Sequence, residues 1–90
     1  MKKTIITVVG KDGVGIIAGV CTYLAENNIN ILDISQTIVG GYFNMMMITD
    51  MNEASKSLSE IQNELDLVGK KLNVVIKCQR EEIFDSMHRI

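Results

Sequence analysis

The stretch Ile34-Ser35-Gln36-Thr37-Ile38-Val39-Gly40-Gly41-Tyr42-Phe43-Asn44-Met45-Met46-Met47-Ile48-Thr49 decides the fold. Two β-rich runs flank a pair of glycines. Two adjacent turn residues with positive φ strongly favour glycine, so this is a hairpin and the sheet is antiparallel here. The first strand is expected over about Ile31 to Val39, with a bulge or a departing helix end near Ile31. Ile34, Gln36 and Ile38 share one face by the two-residue period. A glutamine on a core-facing row needs hydrogen-bond partners or a ligand, so Gln36 is a candidate site residue. The second strand, Tyr42 to Thr49, is apolar on both faces, with Phe43, Met45 and Met47 one way and Met46 and Ile48 the other.

Upstream, Thr4 to Val9 is β-rich and reads as a buried strand that Gly10 ends. A glycine loop, Lys11-Asp12-Gly13-Val14-Gly15, leads into a helix expected from about Gly13 to Asn27, with Asp12 as its cap. Asn27 and Asn28 suit a left-handed terminus. Gly15 and Gly19 would weaken the helix by roughly 1 kcal/mol each relative to alanine, so a close backbone approach to the sheet or to a ligand should explain them. Downstream, Ala54, Leu58, Ile61, Leu65 and Val68 form a helical stripe. Its start is set either by Ser57-Leu58-Ser59-Glu60, which has capping-box spacing, or by an earlier Asn52. Gly69 is the expected stop. A last strand follows from about Leu72 to Gln79. From Arg80 to Ile90, the residues Ile83, Phe84, Met87 and Ile90 recur at helical spacing.

The order is β-α-β-β-α-β plus a short amphipathic C-terminal helix. The class is α+β, a ferredoxin-like sandwich with two helices on one face of a four-stranded antiparallel sheet. Residues 1–79 form the domain. Residues 80–90 cover the bare sheet face or bind a partner. The apolar outward row of Met46 and Ile48 needs a cover, from that segment or from a second subunit.

Ninety residues allow one core, and 47% apolar content suits a globular chain. No run approaches the ~20 apolar residues of a membrane helix. Met1-Lys2-Lys3-Thr4 leads into a strand rather than a secretion signal, so the chain is expected to start at its true N-terminus and to be cytoplasmic. A net charge of −2 and four aromatic residues speak against a nucleic-acid surface. Cys21 and Cys78 sit in apolar patterns and read as reduced core thiols. His88, the single histidine, reads as a surface residue. No metal or cofactor is expected.

Gly13-Val14-Gly15-Ile16-Ile17-Ala18 matches the dinucleotide pattern G-x-G-x-x-A, with Asp33 about 20 residues on. The hairpin at Gly40-Gly41 removes that reading, because a dinucleotide fold continues through parallel βα units. Gly10 and Gly15 have P-loop spacing, yet Ile16-Ile17 occupy the positions of the lysine and hydroxyl. An acylphosphatase-like enzyme would want an arginine in this loop, where Lys11 is the cation. What remains is a helix start whose amides can meet a small anionic group, a carboxylate as well as a phosphate. Tight packing alone would also explain the glycines.

Taken together, Val8-Val9-Gly10, the turn Asp12-x-x-Gly15-Ile16, the helix end Asn27-Asn28 and Asn30-Ile31 resemble an ACT domain over residues 4–79. Ile34-Ser35-Gln36-Thr37 and the Phe84-containing tail resemble the small stand-alone ACT proteins of the UPF0237 group. The resemblance implies a non-enzymatic regulatory module that senses an amino acid at a homodimer interface formed through sheets or helices. It implies ligand contacts from Asp12, Gly15 and Asn30, with Gly13 and Val14 completing the loop. Gly15 would offer its amide to a carboxylate, and Asn30 would bond an amino or carboxylate group. Asp12 stands where ligand-binding members often carry asparagine, and a carboxylate there favours an ammonium. Such domains are commonly fused to the enzyme they regulate. The alternative is a protein-interaction adaptor whose ligand site is vestigial.

Overall fold

The computed structural model describes residues 3–11 and 13–82. The expectations for Asp12, His88 and the stripe from Ile83 to Ile90 lie outside them. The elements are β1 (Lys3–Lys11), α1 (Ile16–Glu26), β2 (Asn30–Val39), β3 (Tyr42–Asp50), α2 (Leu58–Leu72) and β4 (Val74–Arg80). They form one antiparallel sheet in the order β2-β3-β1-β4, the ferredoxin-like arrangement. No helix among the described residues is long and apolar enough to cross a membrane.

One face of the sheet carries the core. Ile6, Val8, Phe43, Met45, Met47, Ile76 and Cys78 meet Ile16, Val20 and Leu24 of α1 and Ile61 and Leu65 of α2. Within the Met45-Met46-Met47 run, the outer two are fully buried and Met46 points the other way, as the strand period requires. At the rim of the core, Thr4 and Thr49 lie opposite each other on β1 and β3. Their hydroxyls are 3.0 Å apart, and Thr49 Oγ1 donates to the Thr4 carbonyl at 3.1 Å. Two buried hydroxyls thereby satisfy each other.

Three glycines have other duties than those expected. Gly10 does not end β1. It sits within the strand between Phe43 and Val74, where a Cβ would come within 2.8 Å of Val74 Cγ1 and 3.1 Å of its Cα. Gly69 does not stop α2. The helix runs on to Leu72, and Asn73 takes the left-handed cap at φ 64°. A Cβ on Gly69 would meet the Val74 carbonyl at 2.7 Å, so the glycine lets α2 lie against β4. Gly19 admits Leu72 of α2, whose Cδ1 would be 2.8 Å from an added Cβ. The close approach that this glycine allows is therefore helix to helix.

The last strand accordingly begins at Val74, with Leu72 in the helix. The start of α2 is set by Ser57 rather than Asn52. Ser57 Oγ accepts the Glu60 amide at 3.2 Å, and its hydroxyl donates to Glu60 Oε1 at 3.2 Å. The register shift of β2 between Ile31 and Asp33 is the bulge expected at that strand's start.

Candidate functional site

The glycine loop joins β1 to α1. The helix begins at Ile16, three residues later than expected, and its cap position belongs to Gly15. Gly15 has φ 86°, a left-handed conformation that other L-residues adopt at a cost, and nothing lies within 4 Å of where its Cβ would be. The first helical bond runs from the Gly19 amide to the Gly15 carbonyl at 2.8 Å. The amides of Ile16, Ile17 and Ala18 therefore precede the helical ladder, and they carry the positive end of the dipole. Gly15 supplies no capping side chain, and the first turn holds no acidic residue. Val14 projects fully into solvent beside them.

Gly13, Val14 and Gly15 are thus together at the Lys11 end of the sheet. Asn30 is not with them. It pairs with Asp50, which also pairs with Lys3 on β1. That is the opposite end of the sheet, roughly 27 Å away at the rise of an antiparallel strand. The expected meeting of Asn30 with the glycine loop does not occur inside one chain. The reason is topological: α1 runs back down the sheet, so β2 starts where β1 started.

Gln36 lies mid-strand, opposite Met45, on the helix-side face, yet it is exposed. It needs no buried partner, because among the described residues no helix packs closely over β2. Helix α2 lies along β4, and α1 turns Gly19 and Tyr23 toward α2. The other flank of α1, with Ile17 and Cys21, faces the β2 side. Ile17 leaves the buried stripe, which runs instead through Ile16, Val20 and Leu24. Ile34 is 44% and Ile38 56% exposed on the same side of the sheet. β2 is also an edge strand, with one row of its backbone groups facing no other strand among the described residues. Together they make an apolar shelf bordered by a free strand edge. The sequence shows β2 as a strand, but its place at the edge depends on the strand order.

A network that sequence spacing does not reveal ties the helices together. Tyr23 Oη donates to Glu64 Oε1 at 2.7 Å, and Lys56 Nζ reaches the two Glu64 oxygens at 2.8 and 3.0 Å. Desolvation, and then the Glu64 carboxylate, push the Tyr23 hydroxyl above its usual range, so it stays a donor. The Lys56 and Tyr23 hydrogen bonds hold Glu64 below the usual carboxylate range. Gln62 Nε2 donates to the Cys78 carbonyl at 2.6 Å and fastens α2 to β4. Burial pushes the Cys78 thiol up to about 12, which suits an inert core residue. Near the Lys3 end of the sheet, a cleft of ≈ 480 Å³ is bordered by Lys3, Thr4, Met51, Lys56 and Arg80. Lys56 is already held there by Glu64, and Arg80 lies 3.7 Å from Glu82.

The family model for the ACT domain matches residues 2–79. A UPF0237 protein of Bifidobacterium longum is 60% identical over 90 residues, with both chains fully covered. The solved structure of an ACT domain protein from Streptococcus pneumoniae superposes with a TM-score of 0.82 at 44% identity, covering 93% of this chain and 94% of that one. A formyltetrahydrofolate deformylase of Pseudomonas syringae also has a TM-score of 0.82, at 20% identity. It shares the fold, over 89% of this chain and 28% of its own. With a glycine-capped first helix, a split ferredoxin-like sheet and relatives that match from end to end, the chain belongs to the ACT domain family, among its UPF0237 members.

Proposed function

We propose that this chain is a stand-alone regulatory domain that senses an amino acid as a homodimer, in the cytoplasm. It acts by binding rather than by catalysis. The observation that carries the reading is the separation of the two halves of the site. The amides after Gly15 can receive a carboxylate, but Asn30 sits at the far end of the same sheet. When two β2 edges pair antiparallel, the start of one strand lies beside the end of the other. The partner's Asn30 then comes to the Gly40 end, which is the end that holds the glycine loop. The same pairing completes the hydrogen-bond row of β2 and covers Ile34, Ile38 and the Ile17 flank of α1, which are otherwise open. Gln36, mid-strand on that shelf, would lie near the two-fold axis.

Mixing two crippled variants tests this arrangement. Gly15→Ala spoils the loop, and Asn30→Ala spoils the strand contribution. Each variant alone is expected to lose the thermal stabilisation and calorimetric binding that the wild type shows with one of the proteinogenic amino acids. In a mixed dimer the intact loop of one chain meets the intact Asn30 of the other, so binding returns at up to one site per mixed dimer. No recovery on mixing, with mixed dimers present, would mean that the loop and Asn30 do not complete one site across the dimer. A monomer that no amino acid stabilises would sink the sensor reading altogether.

A further inference from the structure

We propose that Gln36 sets the register of the β2 edge against a second copy of this chain, by meeting the partner's Gln36 on the two-fold axis. The stretch Ile34-Ser35-Gln36-Thr37-Ile38 reads alike in both directions: isoleucine, hydroxyl, carboxamide, hydroxyl, isoleucine. Every one of these residues is exposed, on a strand that borders β3 alone among the described elements. An isologous contact matches a surface to itself, so an antiparallel strand that pairs with its own copy needs a palindrome of this kind. In the β2-edge homodimer on which this rests, placing Gln36 opposite the partner's Gln36 sets Ile34 opposite the partner's Ile38 and Ser35 opposite the partner's Thr37. Within the chain Ile34 and Ile38 pair with Met47 and Phe43, so the isoleucine pairs lie on the helix side of the sheet. Ser35 and Thr37 pair with Met46 and Asn44, so the hydroxyl pairs lie on the outer face. Each cross-strand pair then joins like with like.

The neighbouring registers lose this match. A slip of one residue sets an isoleucine against a hydroxyl residue and turns the partner's helices to the other face of the sheet. A slip of two residues keeps the faces but sets Gln36 against the partner's Ile34 or Ile38. A carboxamide shut from water against an isoleucine loses its hydrogen bonds. Opposite its own copy it is both donor and acceptor, so the two side chains satisfy each other. The slip of two also carries the partner's Asn30 about 7 Å along the strand, away from where the matched register puts it beside the glycine loop. Gln36 is therefore a positioning residue. It interrupts an apolar row at the one place where a polar side chain selects among registers, as a lone polar residue does in a coiled-coil seam.

Opposite charges across the axis test the register. Gln36→Glu and Gln36→Lys each place like charges opposite each other, so each full-length variant alone is expected to dimerise more weakly than the wild type in sedimentation. Position 36 is exposed, so both variants should keep the wild-type fold. When the two are mixed, with one of them isotopically labelled, the heterodimer should exceed its statistical half in native mass spectrometry, and dimer affinity should return toward that of the wild type. Statistical mixing would take Gln36 off the axis and overturn the proposal. Ile38→Lys separates that failure from failure of the edge dimer itself. If Ile38→Lys weakens the dimer while the Gln36 variants mix statistically, the edge interface stands and the register alone falls. If Ile38→Lys dimerises like the wild type, or the wild type is a monomer, the edge dimer falls and the register falls with it.

Discussion

The two helices of this domain begin in opposite ways. At the start of α2, Ser57 bonds the Glu60 amide, and the next turn is clamped by the Lys56–Glu64–Tyr23 network. At the start of α1 the cap is a left-handed glycine, Val14 stands fully in solvent, and the first turn offers no carboxylate. One helix start is capped by its own serine, and the other has a glycine with no side chain at its cap position. The difference teaches where stability and binding are separated. α2 is fastened to β4 through Gly69 and Gln62, whereas the loop before α1 can be changed with little effect on packing.

The strongest test of that division is in the core of α2. Leu65 is fully buried, and Leu65→Ala should destabilise the domain by about 2–5 kcal/mol in urea unfolding. Val14→Ser at the loop tip should change stability by less than about 0.5 kcal/mol. Comparable losses at both sites would break the comparison. A middle effect is expected at Gly15. Alanine meets no neighbour there, so its cost is backbone strain alone, about 1–2 kcal/mol. The same variant should weaken amino-acid binding in calorimetry, which Val14→Ser tests at the neighbouring side chain without straining the loop. Ser57→Ala, at the other helix start, should cost about 1 kcal/mol and leave ligand affinity unchanged. If Ser57→Ala weakened binding as much as Gly15→Ala, the two helix starts would not be functionally distinct.

Much of this architecture is legible in the residue order. Gly40-Gly41 forces the hairpin, both with positive φ, and the two-residue period of β3 sorts Phe43, Met45 and Met47 onto the core. Ser57 and Glu60 are local partners, so the start of α2 can be read from spacing. The glycines cannot be read in that way. Gly10 and Gly69 look like stops, but each faces Val74, Gly10 through the β1–β4 pairing and Gly69 where the chain turns from α2 back into β4. Gly69 therefore stays helical, and the true cap falls to Asn73. Gln36 lies on the core-facing row, as its parity requires. Its exposure follows from β2 being an edge that neither α1 nor α2 covers, which is a property of the described topology. Asn30 fails to meet the loop for the same kind of reason. Sequence proximity to α1 says nothing about which end of the sheet a strand starts from. The candidate site residues are picked out as residue types, and their division between the two ends of the sheet is not legible.

The smallest effect concerns the clamp on α2 and depends on pH. Glu64 is held below the ordinary carboxylate range by its hydrogen bonds to Lys56 and Tyr23. A carboxyl whose folded pKa is depressed stabilises the protein above its unfolded pKa, about 4.3, and loses that contribution as pH falls through the folded value. Glu64→Gln keeps the shape and removes the charge. The wild type should therefore melt slightly higher than Glu64→Gln at pH 7, with the gap constant down to about pH 5 and closing below about pH 4. The gap should also narrow with added salt, because the Lys56–Glu64 pair is partly exposed. Ligand affinity should be the same in the two proteins at pH 7, since the clamp belongs to the helix start that is capped by its own serine. A gap that widens toward low pH would reverse the sign of the Glu64 contribution, and a loss of binding in Glu64→Gln would join the two helix starts into one functional unit.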